Sequence, residues 1–333
     1  SGSIAMKPSD IVRQLNQHVV GQDEAKKILA VAVYSHLKRT AQGPGAIELV
    51  KSNILLIGPT GTGKTLLCET LARILDVPFV TADATSLAQS EYVGEDIEAI
   101  LHRLLERAGG DLARAQRGIV FIDEVDKLKA SGQARGPSAE RVQHALLKIM
   151  EGSPVKLKTG SYIDTTQVLF ICGGAFVGLK EIMVKNHSFG FISTSEADSQ
   201  KILDRLNARV KPTDLNEFGL IPEFAGRLPI VARLDDLTRD MLVRIMVEPK
   251  NAIYRQFREV LTGEGVDLQV EPLVFEQIAD LAIEYKAGAR SLRGIFEEMV
   301  TPVLYLVPDN PNVKKVVISS LFEEPRYFGA AGT

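Results

Sequence analysis

Short apolar runs closed by glycine or an acidic residue alternate with amphipathic stretches through the first two-thirds of the chain. Residues 53–57, 78–80, 119–122 and 168–172 read as short buried strands. Between them, residues 66–75, 96–107, 111–116 and 139–150 repeat their apolar positions at helical spacing, and residues 11–39 form a helical lead-in. Apolar strands separated by helices predict an α/β fold, a parallel sheet with helices on both faces.

Beyond Pro229 the pattern changes. Residues 238–261, 272–285 and 289–306 predict helices, with strands at 267–270 and 313–318. This reads as a smaller, mostly helical α+β domain. The resulting division is a tag or frayed start over 1–7, a large domain over 8–234, a lid domain over 238–320 and a flexible tail over 324–333.

Composition sets bounds on the chemistry. The 333 residues carry a net charge of −3, which gives no global basic footprint for nucleic acid. Two cysteines, Cys68 and Cys172, form no metal cluster and no disulfide framework, as in a reducing compartment. No apolar run approaches the roughly 18 residues of a membrane span, so neither membrane nor nucleic acid is expected as a partner.

The chemistry enters at GPTGTGKT, where Gly58, Gly63, Lys64 and Thr65 complete the phosphate-loop pattern between a predicted strand and a predicted helix. Glycines let backbone N–H groups curl inward on phosphate oxygens, and the following helix offers its positive end. Gly58, Pro59, Thr60, Gly61, Thr62, Gly63, Lys64, Thr65 and Leu66 are therefore the expected nucleotide-binding stretch, for ATP or ADP. Lys64 reaches the β- and γ-phosphates and the Thr65 hydroxyl takes Mg²⁺.

IVFIDE supplies the second element. Asp123 is positioned at a strand's C-terminal end to hold Mg²⁺, and Glu124 to orient or deprotonate the attacking water. Two arginines narrow the class further. Arg227 in IPEFAGRLP and Arg290 in GARSLR offer planar donor forks suited to phosphate. Their distance from the loop in sequence suggests that one acts across a subunit boundary.

VVGQDEAKKILAVAVYSHLKR, ADATSLAQSEYVGEDIE, QRGIVFIDEVDK, LFICGGAF, FGLIPEFAGRLP and GARSLRGIFE together resemble segments of the ClpX family of ring-forming AAA+ protein unfoldases. The likeness covers most of residues 8–320. It implies an ATP-dependent unfoldase in which six copies form a ring, thread protein substrates through its pore and deliver them to a double-ring Clp-type serine peptidase. By resemblance, Val20, Gly21 and Gln22 contact the adenine, Arg227 is the finger supplied in trans and Arg290 is the lid sensor. The resemblance further implies a cytoplasmic protein of bacterial type or one of an organelle matrix, and possible adaptors.

SEYVGED matches the family's pore loop, so Tyr92 and Val93 are expected to protrude into the channel, gripping chains by packing. Glu91 stands where the family has glycine. The second pore loop falls near residues 130–137, with Arg135 as its contact. EGSPVKLKTGSYIDTT is shorter than the family's entrance loop and lacks its Arg-Lys-His triplet, although Lys156 and Lys158 keep positive charge. Phe189, Gly190 and Phe191 occupy the place of the Ile-Gly-Phe tripeptide that docks the peptidase. The family's N-terminal zinc domain precedes the part of the family matched here, and no zinc site is expected.

A stand-alone ATP-driven remodeller is the alternative reading. A nucleic-acid motor is opposed by the acidic charge and the Tyr-Val loop, and a non-hydrolysing scaffold by Glu124 and Arg227.

Overall fold

The computed structural model describes residues 6–42, 51–129, 136–186, 201 and 208–329. It divides into two compact units. The first is built from Glu24–Pro59 and Cys68–Leu234 with the N-terminal end, the second from Val12–Asp23, Thr60–Leu67 and Asp235–Thr333.

The first unit carries the parallel sheet. Its strands are β1 (Ile54–Ile57), β2 (Phe79–Asp83), β3 (Ile119–Asp123), β6 (Leu169–Gly174) and β7 (Ile230–Arg233), in the order β2-β3-β6-β1-β7. All are parallel, and β1 and β6 are buried at every position. That is why their sequences read as unbroken apolar runs rather than alternating ones. Helices Lys64–Leu75, Val93–Arg107 and Gly136–Glu151 connect the strands. The core is filled by residues such as Leu55, Ile100, Leu104, Val120, Leu146, Phe170 and Phe224. The order places β6 between β1 and β3, so the loops that leave β1, β6 and β3 emerge side by side at the C-terminal edge, where open α/β sheets bind ligands.

The fold class agrees with the sequence reading, and the differences have local causes. Helix 11–39 is two helices, Pro8–Leu15 and Asp23–Thr40, because Gly21 (φ 65°) and Gln22 (φ 59°) take left-handed backbone between them. Residues 238–261 likewise form Arg239–Val247 and Ile253–Gly263. Pro249, lacking an N–H and clashing with the preceding turn, ends the first. Strand β7 and the hairpin of β4 (Pro154–Lys156) and β5 (Tyr162–Asp164) escape prediction, being only three or four residues long.

The second unit packs its helices around an aromatic centre. Tyr254 meets Phe275 edge-on at 5.2 Å, and Phe257 stacks on Phe296 at 5.3 Å between centroids. Strand β8 (Asp267–Val270) pairs parallel with β9 (Val313–Ile318). The tail expected to fray instead supplies β10 (Arg326–Gly329), antiparallel to β9. Its ladder satisfies backbone groups that β9 would otherwise leave open on that edge.

Candidate functional site

The phosphate loop leaves β1 under tight backbone control. Leu234 N–H donates to Ile57 O at 2.7 Å, and Gly58 N–H donates to Gly174 O at 3.0 Å. Gly61 (φ 84°) and Gly63 (φ 93°) adopt left-handed backbone, which glycine takes without a Cβ penalty. Helix Lys64–Leu75 follows at once, and Leu67 N–H closes onto Gly63 O at 3.0 Å. The positive N-terminal end of that helix suits an anion. Gly58, Thr62 and Lys64 are buried, while Pro59, Thr60, Thr65 and Leu66 are exposed.

In the first unit, β3 ends on Asp123, in register with Asp83 of β2. Glu124 has left-handed backbone (φ 61°), and its N–H donates to Asp123 Oδ1 at 2.8 Å. For a residue with a Cβ this conformation costs about 1–2 kcal/mol. The turn swings the Glu124 side chain out of the strand's alternation. Partial burial holds its carboxyl above the ordinary range, and the charges of Asp83, Asp123 and Asp126 push the same way.

Gly173 explains why no side chain intrudes on that aspartate. A Cβ there would lie 2.7 Å from the Phe121 ring and 3.2 Å from Asp123 Oδ1. Cys172, one residue earlier, is fully buried, and burial pushes its thiol up to about 12. It is an inert core residue.

The donor types fit Mg²⁺. A threonine hydroxyl and one or two carboxylates suit a hard ion that keeps waters and shares its shell with phosphates. Among the described residues no group of three or more His, Cys, Asp or Glu side chains could cage a metal by itself.

Arg227 caps the short helix Pro222–Gly226, and its Nε lies 3.3 Å from Glu151 Oε1. Both side chains are half-exposed, so the pair orients the guanidinium more than it stabilises the fold. Arg290 is exposed at the first position of helix Arg290–Leu306. In the second unit Val20 is buried, and a Cβ on Gly21 would come within 2.7 Å of Met241 Cε. The Gln22 carboxamide is engaged by the Asp235 backbone.

One expectation is corrected. Tyr92 is exposed, preceding helix Val93–Arg107, with its N–H on Ser90 Oγ at 3.1 Å. Val93, the first helical residue, is instead 5% exposed and packs in the core with Ile97 and Leu101. Val93 opens the helix on the face that carries Ile97 and Leu101 into the core, whereas Tyr92 stands outside the helix as its N-cap. Arg135 and the Phe189-Gly190-Phe191 stretch lie outside the described residues.

In the sequence Gly173 and Gly174 read only as the end of a strand, and Asp83 and Asp126 do not stand out. Their signal was weak: a glycine pair ending an apolar strand, and acids near turns. Only strand register brings them to Asp123 and Glu124.

No helix among the described residues is long and apolar enough to cross a membrane. The AAA domain family (Cdc48 subfamily) matches residues 50–231, and the C-terminal D2-small domain of ClpB protein matches residues 237–316. Over 94% of its length the chain is 45% identical to the ATP-dependent Clp protease ATP-binding subunit ClpX 3 of Methylococcus capsulatus, covering 79% of that protein. It is 43% identical to the ClpX subunit of Treponema denticola, with 96% of this chain and 81% of the relative covered. For the ClpX subunit of Borrelia duttonii the identity is 44%, over 94% of this chain and 77% of the relative.

Proposed function

The chain belongs to the ClpX family of ATP-binding subunits of the ATP-dependent Clp protease, and on that premise we propose a six-copy ring that hydrolyses ATP to unfold proteins and feed them to a Clp-type serine peptidase. The observation that carries the catalytic part is Glu124. It is held in strained left-handed backbone at the sheet's C-terminal edge, its N–H fixed by Asp123.

The roles follow from the chemistry of each group. Lys64 and the loop N–H groups bind the β- and γ-phosphates. Thr65 and Asp123 would hold Mg²⁺, which when bound neutralises phosphate charge. Glu124 holds the attacking water and accepts its proton, a task for which a raised carboxyl pKa is suited. Arg227 of a neighbouring copy stabilises charge building on the transferred phosphoryl group. Arg290 senses the nucleotide from the lid domain, and Val20, Gly21 and Gln22 border the adenine.

Tyr92 acts on substrate. An exposed aromatic in a polar loop can pack on any extruded chain without reading its sequence. Phe189, Gly190 and Phe191 supply an apolar anchor for the peptidase. The protein works in a reducing compartment such as the bacterial cytoplasm.

The test is ATP-dependent degradation of a folded reporter bearing an unstructured tag, with a Clp-type peptidase added. Wild type degrades it, and Glu124→Gln does not, its hydrolysis falling about 100-fold or more. Hydrolysis without degradation would overturn peptidase coupling and favour a stand-alone remodeller.

A further inference from the structure

The 3₁₀ turn Val125–Leu128 follows Glu124 directly and carries a carboxylate, Asp126, to which the mechanism above gives no role beyond its charge near Glu124. Asp126 is only 6% exposed. Its Oδ2 accepts the N–H of Phe176 at 3.2 Å. Phe176 has positive φ (51°) in the turn after β6, and its ring packs on Phe218 at 5.0 Å. The other carboxylate oxygen presses on the same turn. A Cβ on Gly174 would come within 2.6 Å of Asp126 Oδ1. Gly174 O in turn accepts the N–H of Gly58, the first residue of the phosphate loop. On the opposite side, Lys127 N–H closes the 3₁₀ turn onto Glu124 O at 3.1 Å.

One carboxylate thus sits at a junction inside the first unit. Behind it is the backbone of Glu124. Before it is the turn of Gly174 and Phe176, and beyond that turn the N–H of Gly58. Burying a carboxylate is costly unless its bonds compensate, and a packed apolar residue would fill the space at lower cost. Both its oxygens bear on the turn between the two catalytic loops.

The geometry points to Asp126 as a positioning residue for ATP hydrolysis, fixing the turn after β6 so that Glu124 and Gly58, where the strand before the phosphate loop ends, keep their mutual register within the first unit. This rests on the chain being an ATPase. Asp126 touches no reacting atom. Its effect belongs in turnover rather than nucleotide binding, because Lys64 and its helix remain attached through Gly63 and Leu67.

The experiment compares Asp126→Ala and Asp126→Asn in steady-state ATPase assays, with fluorescent-nucleotide affinity measured separately. Asparagine keeps an oxygen to accept the Phe176 N–H. Alanine should lower kcat about tenfold, a change of about 1.4 kcal/mol in barrier, with KM and nucleotide affinity moving less than about threefold. Asparagine should recover most of the rate. A second variant guards against simple misfolding. Gly174→Ala keeps the carboxylate but drives a methyl against it, and should also lower kcat. The double variant Asp126→Ala/Gly174→Ala should lose less than the product of the two, because the collision with Oδ1 is gone, although Phe176 still crowds that methyl at 2.8 Å. Unchanged kcat in Asp126→Ala overturns the proposal. So do equal losses in kcat and affinity, no recovery with asparagine, or strictly multiplicative losses in the double variant. Failure of wild type to hydrolyse ATP would instead sink the functional reading itself.

Discussion

The Gln22 side chain closes a two-way clasp on the backbone of Asp235. Its Nε2 donates to Asp235 O at 3.0 Å, and its Oε1 accepts from Asp235 N–H at 2.7 Å. The preceding residue, Leu234, donates its N–H to Ile57 O. Adjacent residues are therefore pinned by separate partners, one in each compact unit. Gln22→Ala should leave two part-buried backbone groups without these bonds, a loss of about 1–2 kcal/mol. The check is the urea midpoint, which should fall. Gln22→Glu retains only acceptors and should fall between alanine and wild type. A midpoint unchanged in Gln22→Ala would mean the clasp adds nothing.

Gly61 and Gly288 meet back to back within the second unit. Both have positive φ, at 84° and 61°, and a Cβ on Gly288 would lie 2.9 Å from Gly61 O. Ala289 N–H donates to that same carbonyl at 3.2 Å. Gly288→Ala combines left-handed strain of about 1–2 kcal/mol with a collision against backbone that cannot rotate away. Nucleotide affinity should weaken about tenfold, a change of about 1.4 kcal/mol, as read by titration with a fluorescent ATP analogue. Wild-type affinity in this variant would show that the loop does not depend on this contact.

Three basic side chains grip three successive carbonyls behind the sheet. Lys51 Nζ donates to Thr165 O at 2.7 Å, Arg39 Nη2 to Thr166 O at 3.5 Å, and His36 Nε2 to Gln167 O at 2.9 Å. Arg39 Nη2 also reaches His36 Nδ1 at 3.1 Å, which makes Nδ1 the acceptor and the imidazole neutral. Burial, Arg39 and Lys51 lower the His36 pKa to about 4. Between about 4 and 6.5 the unfolded chain then binds more protons than the folded one, so stability falls on acidification through this window. Because the ring is half-buried, the expected loss is about 1–2 kcal/mol rather than the full shift. His36→Gln should flatten the decline in Tm between pH 6.5 and 4. An unchanged slope would assign the acid sensitivity elsewhere. Lys51 is lowered to about 7 chiefly by burial, with Arg39 acting in the same direction and Asp164 opposing. Its contribution therefore rises from pH 7 toward 10.5.

Tyr92 and Val93 should separate cleanly on mutation. Tyr92→Ala removes an exposed ring and should slow degradation of a folded reporter about tenfold while ATP hydrolysis and Tm stay near wild type. Val93→Ala removes buried methyl groups beside Ile97 and should lower Tm, with a loss of about 1–2 kcal/mol. Loss of Tm in Tyr92→Ala with no change in degradation would contradict a substrate-gripping role.

Much of this was legible in the sequence for physical reasons. A strand buried on both faces must be apolar throughout, so β1, β3 and β6 announced themselves as the runs ILLI, IVFI and LFIC. The phosphate-loop pattern is local chemistry, its glycines and lysine of the types that phosphate binding requires, and it reads from eight consecutive residues. Tertiary structure decided what depends on register and on side-chain direction. Strand β7 is four residues whose identity as a strand comes from pairing with β1, not from its own pattern. Val93 is buried because a helix begins there. Asp126, Gly173 and Gly174 matter because β6 lies between β1 and β3 and carries its closing turn to both loops. The local code specifies which segments bury and which carry the phosphate-loop pattern. Which acid stands against which glycine is set by the order of strands, and no neighbouring residue in the sequence records that order.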